Sequence, residues 1–151
     1  MVSPEVIRRF QFFSGLSIEQ IVLCATVADE ITFEPDNYIF RDGEELHKLY
    51  LVVEGNVSLV MKIPRQEKDV ILSNLGNGDV FGWSSLVPPN IATAGAKAQN
   101  PCKLLAFDCP ELIKMFEKDC QFGYLIMEKI AQVIRGRLRN LRMETLAYIA
   151  G

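Results

Sequence analysis

The chain has one histidine, His47, and one tryptophan, Trp83, among its 151 residues. A metal-dependent enzyme in a barrel converges two or three imidazoles on one ion, so a lone His47 argues against that chemistry and reads as a solvated turn residue, with a haem ligand as the alternative. It also leaves Ser84 and Ser85 without the base that a hydroxyl nucleophile needs. Cys24, Cys102, Cys109 and Cys120 are scattered with no C-x-x-C pair, so zinc and iron–sulfur ligand spacing is missing. No apolar run reaches the roughly 18 residues of a membrane span. Met1-Val2-Ser3-Pro4-Glu5 lacks the basic and apolar regions of a secretory signal. There is no P-loop, dinucleotide fingerprint, repeat or low-complexity tract. Net charge is -3, which argues against a protein that holds nucleic acid by global positive charge. These absences predict a cytoplasmic, non-enzymatic protein with reduced, buried thiols and no membrane association.

What is present fits one domain. Apolar residues make up 49% of the chain and charged residues 23%, a globular balance with enough material for one core. Residues 1–29 read as two short helices. Pro4 follows the cap candidate Ser3, and Ser17-Ile18-Glu19-Gln20 fits a capping box. Ile18, Ile21, Val22 and Ala25 mark the expected inner face of the second helix. Residues 30–108 read as short strands between polar turns, which predicts an antiparallel barrel or jelly roll. Leu49–Val53 and Val57–Met61 read as a hairpin across Glu54-Gly55-Asn56. Ile91–Ala98 and Lys103–Phe107 read as the last strands. Residues 109–151 return to helix, with a cap at Asp108-Cys109-Pro110-Glu111 and a long helix from about Phe122.

That long helix carries a seam. Met127, Ala131, Ile134, Leu138, Leu141, Thr145 and Tyr148 recur at 4-3 spacing, the pattern of a coiled-coil interface. Ile126, Ile130 and Val133 form a second stripe. The expectation is that the second stripe packs on the barrel while the seam meets a partner copy. Arg135, Arg137, Arg139 and Arg142 cluster on this helix, either as a solvated face or as a site for an anionic ligand or partner.

The segment Leu75–Leu86 is the most informative. Phe81-Gly82 precedes Trp83-Ser84-Ser85-Leu86, and a glycine before a helical turn lets backbone N–H groups face a pocket. Around it stand Ile39-Phe40-Arg41-Asp42-Gly43-Glu44, Leu49-Tyr50-Leu51-Val52-Val53-Glu54-Gly55-Asn56-Val57, Gly78-Asp79-Val80-Phe81-Gly82 and Thr93-Ala94. With Phe13-Ser14-Gly15-Leu16-Ser17, these motifs resemble, in order, a cyclic-nucleotide-binding domain of the Crp/Fnr type. The resemblance covers nearly the whole chain. It implies a mainly β fold: a jelly-roll barrel with short N-terminal helices and a long C-terminal dimerisation helix. It also implies a phosphate-binding cassette within residues 78–94.

The cassette departs from the family pattern, F-G-E-x-x-L-x-x-x-x-x-R-[ST]-A. The glutamate that holds the ribose falls at Trp83, and the arginine that pairs with the cyclic phosphate falls at Ala92. Losing the guanidinium removes a contact of about 1.5–3 kcal/mol, roughly one to two decades of affinity. Ordinary cyclic AMP binding is therefore not expected. The candidate ligand residues are Phe81, Gly82, Trp83, Ser84, Ser85, Ala92, Thr93 and Arg142. Trp83 either plugs the pocket or stacks on a flat ligand. The expected function is a dimeric regulatory module. It would sense a cyclic nucleotide or another small anionic or aromatic ligand, and act through its long helix or a protein partner. A ligandless dimeric scaffold and the sensor fragment of a larger transcription regulator are the alternatives. No helix-turn-helix follows the long helix before Gly151, so direct DNA binding by this chain is not expected.

Overall fold

The computed structural model describes residues 1–151. The chain opens with α1 (Pro4–Arg8), a 3-10 turn (Gln11–Phe13) and α2 (Ile18–Thr26). The capping box forms: the Gln20 backbone N–H donates to Ser17 Oγ at 3.1 Å, and the Ser17 N–H donates to Gln20 Oε1 at 2.9 Å. The inner face of α2 is Ile21, Cys24 and Ala25, one register step from the expected stripe. Ile18 and Val22 are exposed. The face is centred by Ala28, which is buried just beyond the helix and continues the i, i+3, i+4, i+7 pattern from Ile21.

Eight strands follow: β1 (Ala28–Phe33), β2 (Tyr38–Phe40), β3 (Lys48–Glu54), β4 (Val57–Lys62), β5 (Asp69–Leu75), β6 (Val80–Phe81), β7 (Gly95–Ala98) and β8 (Cys102–Asp108). They form two antiparallel four-stranded sheets, ordered β1-β8-β3-β6 and β2-β7-β4-β5. This is the jelly-roll architecture expected. The predicted β3–β4 hairpin is not there, because β3 pairs with β6 and β8 while β4 pairs with β5 and β7. Glu54-Gly55-Asn56 is instead a corner that carries the chain from one sheet to the other. The Asn56 N–H is held there by Asn100 Oδ1 at 2.8 Å, from the turn between β7 and β8. Strand β7 is also shorter than expected: Ile91 makes an isolated bridge to Glu45, and the ladder resumes at Gly95. Residues 92–94 are thereby free to line a cavity.

Side chains of β8 alternate between two cores, as a strand's period of two requires. Leu105 and Phe107 face the helices, in a cluster with Ile7, Phe13, Phe122, Ile126 and Ile130. Cys102 and Leu104 face the interior of the sandwich, with Phe40, Val52, Phe81, Ala92 and Ala96. Each fully buried Leu or Phe contributes about 1.5–3 kcal/mol.

Helices α3 (Cys109–Lys118) and α4 (Cys120–Ala150) close the chain. Asp119 breaks the helix between them, and its carboxylate accepts from the Phe122 N–H at 3.1 Å. Gly123 lets the two helices approach: a Cβ there would sit 2.9 Å from Phe116 Cβ. Ile126 and Ile130 are buried against the barrel, as the second stripe predicts. The seam residues Met127, Ala131, Ile134, Leu138, Leu141, Thr145 and Tyr148 are all exposed on this chain. Every residue from 138 to 150 is exposed, so the last turns of α4 extend past the barrel. No helix is long and apolar enough to cross a membrane.

Candidate functional site

Strand β6 and the turn after it build the pocket. Phe81 is fully buried and stacks on Tyr50, with ring centroids 5.3 Å apart. Gly82 then takes φ +81°, where only glycine sits without strain. A Cβ at that position would also lie 3.2 Å from both the Lys48 carbonyl oxygen and the Tyr50 ring. The left-handed residue starts a 3-10 turn, Trp83–Leu86. Ser85 locks that turn. Its hydroxyl donates to the Gly82 carbonyl at 2.6 Å and accepts from the Cys109 thiol at 3.1 Å. Burial pushes the Cys109 thiol up to about 11, so it stays protonated as this donor.

A cavity of about 40 Å³ lies inside this turn, lined by Phe40, Phe81, Gly82, Trp83, Ser84, Ala92, Thr93 and Arg137, among others. Of the expected residues, Phe81, Gly82, Trp83, Ser84, Ala92 and Thr93 are brought together here. Ser85 is not on the wall, because its hydroxyl is spent within the turn. Arg142 does not reach the cavity either and is exposed. Its place is taken by Arg137, five residues earlier. Five residues turn a helix by about 140° and advance it about 7.5 Å, so the two arginines cannot share a site.

Arg137 could have been found in the sequence. The stripe of buried Ile126 and Ile130 and half-buried Val133 extends by four residues to Arg137, and so carries it onto the barrel. Its guanidinium carbon lies 4.7 Å from the centroid of the Trp83 ring. Its Nη2 donates to the Val80 carbonyl oxygen. Its Nη1 is buried with no hydrogen-bond partner. None of the protein's ion pairs includes it. Burial therefore dominates and pushes the Arg137 guanidinium down from the usual arginine range to about 10, with Asp79 pulling the other way.

The sign of that shift makes a prediction. A base whose pKa falls on folding holds its proton less well in the folded state. The penalty is present at all pH values below about 10 and is relieved as pH rises above that toward the ordinary arginine range. At neutral pH it amounts to about 2 kcal/mol after screening by solvent. Arg137→Met removes the charge and keeps a flexible, polarisable group against Trp83. Thermal unfolding should give a Tm equal to the parent's or up to about 4 °C higher. A fall of more than about 4 °C would show that Arg137 is a net structural clamp.

The cyclic nucleotide-binding domain family matches residues 30–119, which run from β1 to the end of α3. The chain belongs to the cyclic nucleotide-binding domain family. Among curated relatives, it is 23% identical over 137 residues to a CRP-like cAMP-activated global transcriptional regulator of Mycobacterium tuberculosis, covering 91% of this chain and 61% of that protein. It is 27% identical over 130 residues to a cGMP-dependent protein kinase of Caenorhabditis elegans, covering 84% of this chain and 17% of the kinase. The chain thus spans less than two thirds of these relatives. The kinase match is partial and spans a small part of that protein. Among solved structures, a putative cyclic nucleotide-binding protein from Geobacter metallireducens superposes with a TM-score of 0.81 at 30% identity, covering 91% of this chain and 99% of that one. The Thermus thermophilus catabolite activator protein superposes with a TM-score of 0.72 at 26% identity, covering 98% of this chain and 63% of that one.

This cyclic nucleotide-binding domain differs from the pattern its family resemblance implies at the two side chains that would specify a nucleotide. The motif resemblance places Trp83 where the family pattern has a glutamate and Ala92 where it has an arginine. Of the two readings of Trp83, the geometry favours the plug. The half-buried ring packs against the helix-side core and carries a guanidinium 4.7 Å from its centroid.

Proposed function

We propose that this cyclic nucleotide-binding domain is a non-enzymatic regulatory module whose cassette is closed by its own side chains. Its output runs through α4, to a second copy of the chain or to a protein partner, and its compartment is the cytoplasm. The observation that carries this reading is the volume left in the cassette. Pockets for small organic ligands span about 300–1,000 Å³. The cavity here is about 40 Å³, close to the space of a single water molecule. A nucleotide could enter only if Trp83 and Arg137 both left. The exposed apolar seam on α4 supports the second half of the reading: Ile134, Leu138 and Leu141 are 37%, 45% and 38% exposed on one chain, in register for a partner helix.

Calorimetric titration tests the closed cassette. Cyclic AMP and cyclic GMP at about 1 mM are expected to give no binding heat, since that concentration already detects affinities near -4 kcal/mol. Saturable binding in the micromolar range would make the protein an ordinary nucleotide sensor.

A further inference from the structure

A second and much larger cleft, of about 490 Å³, runs between α4, the 3-10 turn Gln11–Phe13 and the outer edge of β5 with the turn that follows it. It shares one residue, Arg137, with the cassette cavity. Its volume lies within the range of small-molecule sites. Its walls are chiefly polar: four of its 15 lining residues are hydrophobic.

The α4 wall is the telling one. Lys129, Gln132, Gly136 and Asn140 recur at helical spacing and face the cleft together. The Lys129 ammonium enters no ion pair or side-chain hydrogen bond, and neither amide is engaged within the chain. In their midst, a Cβ on Gly136 would find nothing within 4 Å, so the glycine leaves a notch in the wall. The opposite walls add Ser14, Ser73 and Asn74. The charge balance favours an anion. Lys129 and Arg137 stand against one carboxylate, Asp79, whose Oδ2 already accepts from the Gly76 N–H at 2.9 Å. The Arg137 Nη1, buried without a partner, is an unused donor at this boundary.

The cleft also stays open in a seam-paired dimer. At 100° per residue, Gln132, Gly136 and Asn140 point about 180° away from Met127, Ile134 and Leu138. The buried stripe lies between the two faces.

We propose that this cleft is a binding site for a small anion bearing hydroxyl groups, a phosphorylated or carboxylated polyol. Lys129 and Arg137 take the anionic group, and the amides of Gln132 and Asn140 take the hydroxyls, with the Nδ2 of Asn74, whose Oδ1 already accepts from Ser58 Oγ at 2.8 Å, as a further donor. An occupied cleft is sensed at the cassette, because Arg137 rests on Trp83. The site does not depend on whether the cassette is closed or the chain pairs.

Thermal shift and Trp83 fluorescence test it on the whole chain. The probes are glycerol phosphate, glucose phosphate and gluconate, with glycerol, glucose and inorganic phosphate as controls. At about 10 mM, at least one charged polyol is expected to raise Tm by about 4 °C, as a millimolar site would. It should also change the Trp83 emission, and the controls should do less than half as much. Gly136→Leu fills the notch and favours helix, so it should fold and abolish the shift. Lys129→Gln should weaken it about tenfold. No shift from any charged polyol, an equal shift from inorganic phosphate, or a shift that survives Gly136→Leu would each overturn the proposal.

Discussion

Ala92→Arg, the substitution that rebuilds the family's phosphate-binding arginine, is expected to destabilise the protein by about 4 kcal/mol and to confer no nucleotide binding. Ala92 is 3% exposed and belongs to the inner sandwich core with Phe40, Leu46 and Phe81. Its backbone is fixed on both sides: its N–H donates to the Glu44 carbonyl at 2.8 Å, and its carbonyl accepts from the Gly43 N–H at 2.9 Å. The new side chain cannot swing out with the main chain. It must enter a cavity of about 40 Å³, which is too small for a guanidinium on three methylenes. Overpacking a core costs about 1–3 kcal/mol. The larger cost is the second charge, placed beside an Arg137 that already lacks an ion-pair partner. An unpaired buried charge costs several kcal/mol even after relaxation. Thermal unfolding should show Tm lower by roughly 12 °C. A variant within about 2 °C of the parent, or one that binds cyclic AMP tightly with Trp83 in place, would contradict the closed cassette.

The second large effect concerns assembly. Leu138→Glu together with Leu141→Glu should convert a dimer into a monomer at tens of micromolar protein. Both leucines lie on the exposed seam, beyond the point where α4 leaves the barrel, so the folded monomer loses nothing by the change. Such surface substitutions shift stability by about 0.5 kcal/mol or less. In a paired seam, four buried leucines would be lost and four carboxylates placed face to face. At about 1.5 kcal/mol for each leucine, association weakens by more than about a thousandfold. Light scattering reads the result directly. A parent chain that is monomeric at about 50 μM, or a double variant that remains dimeric, would remove the seam from the account.

What the sequence revealed and what it hid follow one physical division. Signals confined to a single element were legible. The Ser17–Gln20 box is a local pair of hydrogen bonds, and both form. The stripe Ile126, Ile130, Val133 declares which side of α4 is buried, because helical periodicity needs no knowledge of the partner. The order of motifs from Phe13 to Ala94 was enough to identify the jelly roll. Pairing between elements was not legible. Leu49–Val53 and Val57–Met61 both alternate as strands should, yet alternation does not say which edges bond. The corner at Gly55 depends on Asn100, forty-four residues from Asn56. The site shows the same limit. Its glycine, tryptophan and missing arginine could be read off one segment. Arg137 comes from another element: the helix phase carries it onto the barrel, and only its point of contact with β6 was hidden. Ser85 looked like a ligand donor because a hydroxyl's direction is set by its neighbours, here Gly82 and Cys109.

Trp83 is the sole tryptophan, so its fluorescence reports on the cassette and on the Arg137 guanidinium that rests on the ring. Titrating the protein with cyclic AMP to about 1 mM, with emission and acrylamide quenching followed together, tests the closed cassette most directly. The account predicts an emission band and a quenching constant that do not move with nucleotide, because ring, guanidinium and core stay packed. In Arg137→Ala, which uncovers one face of the ring, quenching should rise by about twofold with the band shifted to the red. A saturable change in Trp83 emission on adding cyclic AMP that persists in Gly136→Leu, where the α4 cleft is filled, would mean that nucleotide reaches the cassette, and would contradict the central claim.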